Sequence, residues 1–172
     1  STQWVAAEAA NYSNCNSVAW SPELQLAVAV GGVSGTTNVF SSKDGKVWRR
    51  ITVTGINYEW LCVAWCNSFG LFVAASGGNT FMYSPDGYNW KLSPFTGSVS
   101  QFWWKMVWAP EINTLVVLAY AYSNGATGIA YWKSGCWANE LQRFIFTSDN
   151  GWMMSTPDLT AIYELFHGIN IQ

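Results

Sequence analysis

Apolar positions along this chain come in short runs of alternating character. In "LQLAVAV", Leu24, Leu26, Val28 and Val30 fall on one side and Gln25, Ala27 and Ala29 on the other, the period of two that a β-strand demands. Small residues on the second side fit a sheet pressed against a neighbouring sheet, so the stretch is expected to be buried on both faces. "SVAW", "TNVFSS" and "VWRRITV" read as its partner strands, separated by "SPE", "GGVSG" and "KDGK", all turn chemistry. No segment carries helical periodicity over a useful length.

The pattern then repeats. "SVAWSPELQLAVAVG", "CVAWCNSFGLFVAASG" and "KMVWAPEINTLVVLAY" align on Trp20, Trp65 and Trp108, which lie 45 and 43 residues apart. In the second unit the four runs are "CVAW", "LFVAAS", "TFMYS" and "WKLS". A period in the low forties belongs to four-stranded propeller blades. The expected fold is therefore all-β, a single β-propeller domain over residues 1–172 with blades of roughly 43 residues and repeats at about 14–58, 59–101 and 102–172, the last with a long insertion or a degenerate fourth blade.

The third unit departs from the pattern. Asp149 lies 63 residues after Asp86, and the intervening "YSNGATGIAYWKSGCWANELQ" is either a long insertion or a degenerate hairpin in which "YWKSGCW" replaces the usual turn, giving three or four blades. The amino-terminal "QWVAAEAANYSNC" has the character of the fourth strand and exit loop that precede each "SVAW", which predicts that the amino end completes the last blade. A single four-bladed ring, a larger ring closed by oligomerisation and a piece of a longer propeller all fit this count.

Asp and Gly recur at one place in each unit. "SKDGKVW" contains Ser42, Asp44, Gly45 and Trp48, and "SPDGYNW" contains Ser84, Asp86, Gly87 and Trp90. Gly tolerates positive φ, and an Asp carboxylate accepts bonds from backbone N–H groups just beyond it, so these residues are expected to pin the corner between strands three and four. The following Trp is placed to cover that corner. A looser copy, "TSDNGWMM", holds Thr147, Asp149 and Gly151.

These units resemble the Asp-box repeats of β-propellers, of the type S/T-x-D-x-G-x-x-W. Thr147, Asp149 and Gly151 match the full spacing, whereas the two earlier copies lack the residue between Asp and Gly. The longer pattern, "SVAWSPELQLAVAVG" followed by "SxDGxxW", is similar to repeat propellers of phages and giant viruses, and the resemblance covers residues 4 to about 154. It implies a virion or extracellular surface location. Asp-box propellers include sialidases, lectins, receptors and virion proteins, so the resemblance speaks for architecture rather than activity.

Composition narrows the partners. Only 10% of residues are charged, against about 25% usually, and the net charge of -2 offers no basic field for a phosphate backbone, so nucleic acid is not expected. The longest apolar run, "TLVVLAYAY", has strand length, and no membrane span is expected. The start "STQW" carries no basic segment leading into an apolar one, so it reads as following removal of an initiator Met or a cut within something longer. Cys15, Cys62, Cys66 and Cys136 occupy non-equivalent repeat positions, which favours free thiols over a repeated disulfide framework. Cys62 and Cys66 with a single His in the chain leave too few ligands for structural zinc, and no cofactor is expected.

Catalytic sets are likewise thin. A sialidase needs three converging arginines, but Arg49 and Arg50 are adjacent on a strand and point to opposite faces, leaving Arg143. Glu59, Glu111, Glu140 and Asp158 are carboxylate candidates for glycoside hydrolysis, although Glu23 and Glu111 sit in the repeated turn and are expected to be solvated. His167 lacks a nucleophile elbow, and "GGVSG" and "ASGGNT" join strands without a helix to bind phosphate. No catalytic residue is assigned. Trp60 and Trp103 share a repeat position, with Tyr58 beside the first and Phe102 and Trp104 beside the second. They read either as an exposed aromatic platform for glycans or as packing between blades. The expected function is a non-enzymatic virion structural or attachment component contacting other subunits, copies of itself or surface glycans. A free-standing lectin is the alternative, ahead of a glycoside hydrolase such as a sialidase.

Overall fold

The computed structural model describes residues 14–77, 80–93, 102–120, 132–148 and 153–157. Within them the fold is all-β, built as antiparallel sheets that follow one another along the chain. The first sheet runs β1 (Cys15–Ser21), β2 (Leu26–Gly31), β3 (Asn38–Ser42) and β4 (Arg49–Ile51), each strand beside the next. The second repeats this order with β5 (Trp60–Cys66), β6 (Leu71–Ser76), β7 (Phe81–Ser84) and β8 (Lys91–Leu92). The third shows β9 (Phe102–Ala109) and β10 (Thr114–Tyr120), and a fourth shows β11 (Trp132–Ala138), β12 (Arg143–Ser148) and β13 (Met153–Thr156). The first strands form a row in which β1 packs on β5, β5 on β9 and β9 on β11, the radial succession of propeller blades. No helix among the described residues is long and apolar enough to cross a membrane.

The fourth sheet corrects the reading of "YWKSGCW". That segment is neither insertion nor turn: from Trp132 it is the first strand of a blade, and Trp137 stands where Trp20, Trp65 and Trp108 stand. Its spacing of 29 residues from Trp108, rather than 43 to 45, hid the repeat. Two features betray it. Each first strand carries a bulge four residues before its Trp, at Asn16, Leu61, Trp104 and Lys133. Each turn also ends in a left-handed residue five after its Trp, at Gln25, Gly70, Asn113 and Gln142. Hence Leu24 and Gln25, expected within the buried strand, lie exposed in the first hairpin turn, and β2 begins at Leu26. The amino-terminal segment expected to complete the last blade lies outside the described residues.

Three apolar layers join the four sheets. Leu26, Val28 and Val30 of β2 and Val39 of β3 meet Trp60, Val63, Phe72, Ala74 and Met82 of the second sheet. The opposite face of that sheet, with Cys62, Val73, Ala75 and Phe81, meets Trp103, Met106, Leu115 and Val117. Val107, Val116 and Leu118 then meet Phe144 and Phe146. Every residue of β2 is buried, as its alternation predicts, because small Ala27 and Ala29 line one face and branched residues the other. A buried Phe or Leu in such a layer contributes about 1.5–3 kcal/mol. Cys62 and Cys66 act as small apolar fillers, and burial pushes each thiol up to about 12. All four cysteines are free thiols.

Candidate functional site

Chemistry in this molecule is concentrated in repeated devices, and the first is the Asp corner. Asp44 Oδ1 accepts the backbone N–H groups of Lys46 (2.8 Å) and Val47 (2.9 Å), while the Ser42 hydroxyl donates to it (3.1 Å) and accepts Gly45 N–H (2.9 Å). Asp86 repeats this with Tyr88 N–H (2.8 Å), Asn89 N–H (2.7 Å) and the Ser84 hydroxyl (3.0 Å), and its second oxygen accepts the Asn89 side-chain amide (2.7 Å). Trp48 and Trp90 close the corners by donating their indole N–H to the carbonyls of Gly45 (3.2 Å) and Gly87 (3.1 Å). The N–H groups of Val47 and Lys46 hold the Asp44 carboxyl below its ordinary range. For Asp86, partial desolvation pushes upward but is outweighed by the Asn89, Tyr88 and Ser84 donors, and the value falls to about 2. Both carboxylates are thus spent on framework. Thr147 lies in β12, while Asp149 and Gly151 lie outside the described residues.

The second device was missed in the sequence. Trp65 Nε1 donates to Glu23 Oε2, Trp108 Nε1 to Asn67 Oδ1, and Trp137 Nε1 to Glu111 Oε2, each at 2.7 Å. In every case the Trp of one first strand is held by the turn of the preceding blade. Glu23 and Glu111 are therefore indole acceptors, not merely solvated turn residues. The signal was present as an Asn or Glu two or three places after each blade Trp, but its meaning depends on which blade follows which.

The aromatic candidates separate. Trp60 and Trp103 are 0% and 2% exposed, sunk in two successive layers between sheets, so they form no exposed platform. Burial follows from their place at the start of a first strand, where the preceding blade covers them. Tyr58 remains exposed beside Trp60, edge to face at 6.0 Å. Thr37 fixes this segment: its hydroxyl donates to Tyr58 C=O and accepts Tyr58 N–H, both at 3.0 Å, and Trp60 Nε1 lies 3.3 Å away. Tyr58, Asn57, Glu59 and Ser34 border an open hollow of about 350 Å³. A second hollow of about 440 Å³ lies between the two Asp corners, bordered by Asp44, Arg49 and Tyr88.

The remaining candidates are not gathered. Arg49 and Arg50 lie on β4 and Arg143 on β12, in the first and fourth sheets; Arg50 reaches Asn38 Oδ1 at 3.3 Å. Glu59 lies before β5 and Glu140 in the turn after β11. Asp158 and His167 lie outside the described residues. No group of three or more His, Cys, Asp or Glu among the described residues is placed to hold a metal ion.

No family model matches the chain, and no curated protein matches it. Solved structures do. The computationally designed Ika4 protein matches over 91% of this chain and 98% of its own, at 14% identity and a TM-score of 0.55. The GH74 enzyme of Niastella koreensis matches over 85% of this chain but 23% of its own, at 14% identity and a TM-score of 0.50. A streptogramin B lyase is similar over 85% of this chain and 55% of its own, at 11% identity and a TM-score of 0.43. At such identities the likeness is one of fold, the propeller.

Proposed function

We propose that this propeller is a non-enzymatic binding and structural protein, a virion or phage component whose exposed loops contact other virion proteins or surface glycans. One observation carries the reading: Asp44, Asp86, Glu23 and Glu111 are all engaged in holding turns or neighbouring blades. Carboxylates locked to amides and indoles in this way are poor general acids or bases, because catalysis needs a proton-transferring group free to meet substrate. The low charge and the resemblance of the repeats to phage and giant-virus propellers support the same assignment. Purified protein is expected to turn over no member of a glycoside library; turnover abolished by changing a single carboxylate overturns the proposal.

The lectin alternative has its own support in the hollow beside Tyr58, where an exposed ring stands among Asn57, Glu59 and Ser34. Aromatic faces flanked by hydrogen-bonding side chains suit a sugar ring. Glycan-array binding by the wild type that Tyr58→Ala abolishes, with an unchanged circular dichroism spectrum, favours the lectin over a purely structural component. Binding unaffected by that substitution removes this hollow as the sugar site.

A further inference from the structure

The row of first strands has two ends, and each carries half of a contact that the molecule makes three times internally. At the β1 end, Val18 and Trp20 are 62% and 49% exposed. Their counterparts Val63 and Met106 are buried, and Trp65, Trp108 and Trp137 are half-buried, each beneath the preceding blade. At the β11 end stand Glu140, in the position of Glu23 and Glu111, and Leu141, which is 62% exposed. Leu141 occupies the place of Phe69, whose ring packs on Trp108 with centroids 5.4 Å apart. Met153, facing the same way from β13, is 78% exposed.

A second pairing ends in the same manner. Ser17 Oγ accepts Val63 N–H across the first two blades at 3.2 Å. Ser134 holds the equivalent place in β11 and is exposed. Among the described strands β11 does not pack on β1 as each first strand packs on the next, and among the described residues neither the Trp20 indole nor the Glu140 carboxylate has a hydrogen-bond partner.

We propose that the ends join between copies of this chain. Trp20 of one copy donates to Glu140 of a second and lies on its Leu141, so that the blades of one chain continue into those of the next. The two surfaces differ from each other, so the association is head to tail, and it closes as a ring when the rotation between copies allows. Complementarity names the occupant: the surface that fits an open Trp20 face is the turn that already receives Trp65, Trp108 and Trp137, and the one such turn left without an indole among the described residues is that of Glu140.

Native mass spectrometry of wild type, Trp20→Ala, Glu140→Ala and an equimolar mixture of the two variants tests it. Wild type is expected at a whole multiple, two or more, of 19.1 kDa. Each variant is expected to associate at least tenfold more weakly, as loss of a central indole anchor does at interfaces. The mixture is expected to associate more tightly than either variant alone, since one joint then keeps both Trp20 and Glu140. Recovery on mixing also excludes misfolding as the cause, and Trp20→Phe, which keeps a ring but loses the N–H, is expected to fall between wild type and Trp20→Ala. A wild type that stays at 19.1 kDa at the highest soluble concentration overturns the proposal, as do variants that associate like wild type or a mixture no tighter than its parts.

Discussion

The first and second sheets are nearly the same object in different surroundings. Both have four strands in sequential order, both turn from third to fourth strand on Ser-x-Asp-Gly, and both close that corner with an indole. The second has a blade in front of it and the first, among the described strands, does not. A Cβ on Gly87 would lie 2.6 Å from Leu26 Cδ2 and 3.0 Å from Val28 Cγ2, whereas one on Gly45 would meet nothing within 4 Å. Buried Trp60 is matched by exposed Cys15, and buried Val63 by exposed Val18. Local turn chemistry therefore builds the corner without help, and neighbouring blades decide how much each position weighs in stability.

The largest contrast is expected where the neighbour matters most. Trp60→Ala removes a fully buried side chain from the layer between the first two sheets and should lower stability by about 3–5 kcal/mol. Cys15→Ala, at the same repeat position, should stay within about 0.5 kcal/mol. Urea unfolding followed by tryptophan fluorescence measures both, and equal effects would break the comparison. Next comes the corner glycine. At φ +77° and +71°, Gly87 and Gly45 resist substitution alike, which costs about 1–2 kcal/mol. Gly87→Ala must also displace Leu26, adding about 1–3 kcal/mol that Gly45→Ala escapes.

What could be read from the chain follows the same division between local and non-local causes. Period-two alternation in "LQLAVAV" and the Asp-Gly corners depend on neighbours within a few residues, so β2 from Leu26 onward and the pins on Asp44 and Asp86 follow from sequence, while Leu24 and Gln25 fall in the turn before it. Trp137 escaped because its repeat is shortened and because the left-handed residue five places later is Gln142, which does not announce that conformation in the sequence as Gly70 does after Trp65. The roles of Glu23 and Glu111 escaped because their partners lie 42 and 26 residues away, on another blade. Trp60 and Trp103 were ambiguous for the same reason: repeat position says that they are equivalent, and only the packing of one sheet on the next says that they are buried. Trp103 even keeps its indole N–H without a hydrogen-bond partner, where Trp60 reaches Thr37.

Acid should expose a smaller difference. Asp86 titrates at about 2 in the fold against an ordinary value of 3.8, so its carboxylate stabilises the protein above that ordinary value and the contribution fades as the pH falls from about 4 toward 2. The Asp86 carboxylate is only partly shielded from water, and solvent screening reduces the effect to about 1 kcal/mol. Asp86→Asn is expected to be less stable than wild type at pH 6 by that amount, with the gap narrowing as the pH falls below about 4 toward 2, in thermal melts followed by circular dichroism. Asp44→Asn should move in the same direction, because its carboxyl is also held low by the N–H groups of Val47 and Lys46. A gap that widens in acid would contradict the pinning of these corners by ionised aspartates.

The smallest expected effect separates a turn that holds an indole from one that does not. Glu23→Ala leaves the Trp65 N–H to water at a half-exposed site and should lower stability by about 0.5–1 kcal/mol. Glu140→Ala removes an acceptor that has no donor within the described chain, so a dilute monomer should unfold at the same urea concentration as wild type. At protein concentrations where copies join, wild type gains stability by mass action and Glu140→Ala does not, so the two midpoints should part as concentration rises. The Glu23→Ala deficit, by contrast, is intramolecular and should persist at every concentration. Midpoints measured across a dilution series thus distinguish an indole held inside the chain from one held across a joint, using two glutamates in equivalent turns.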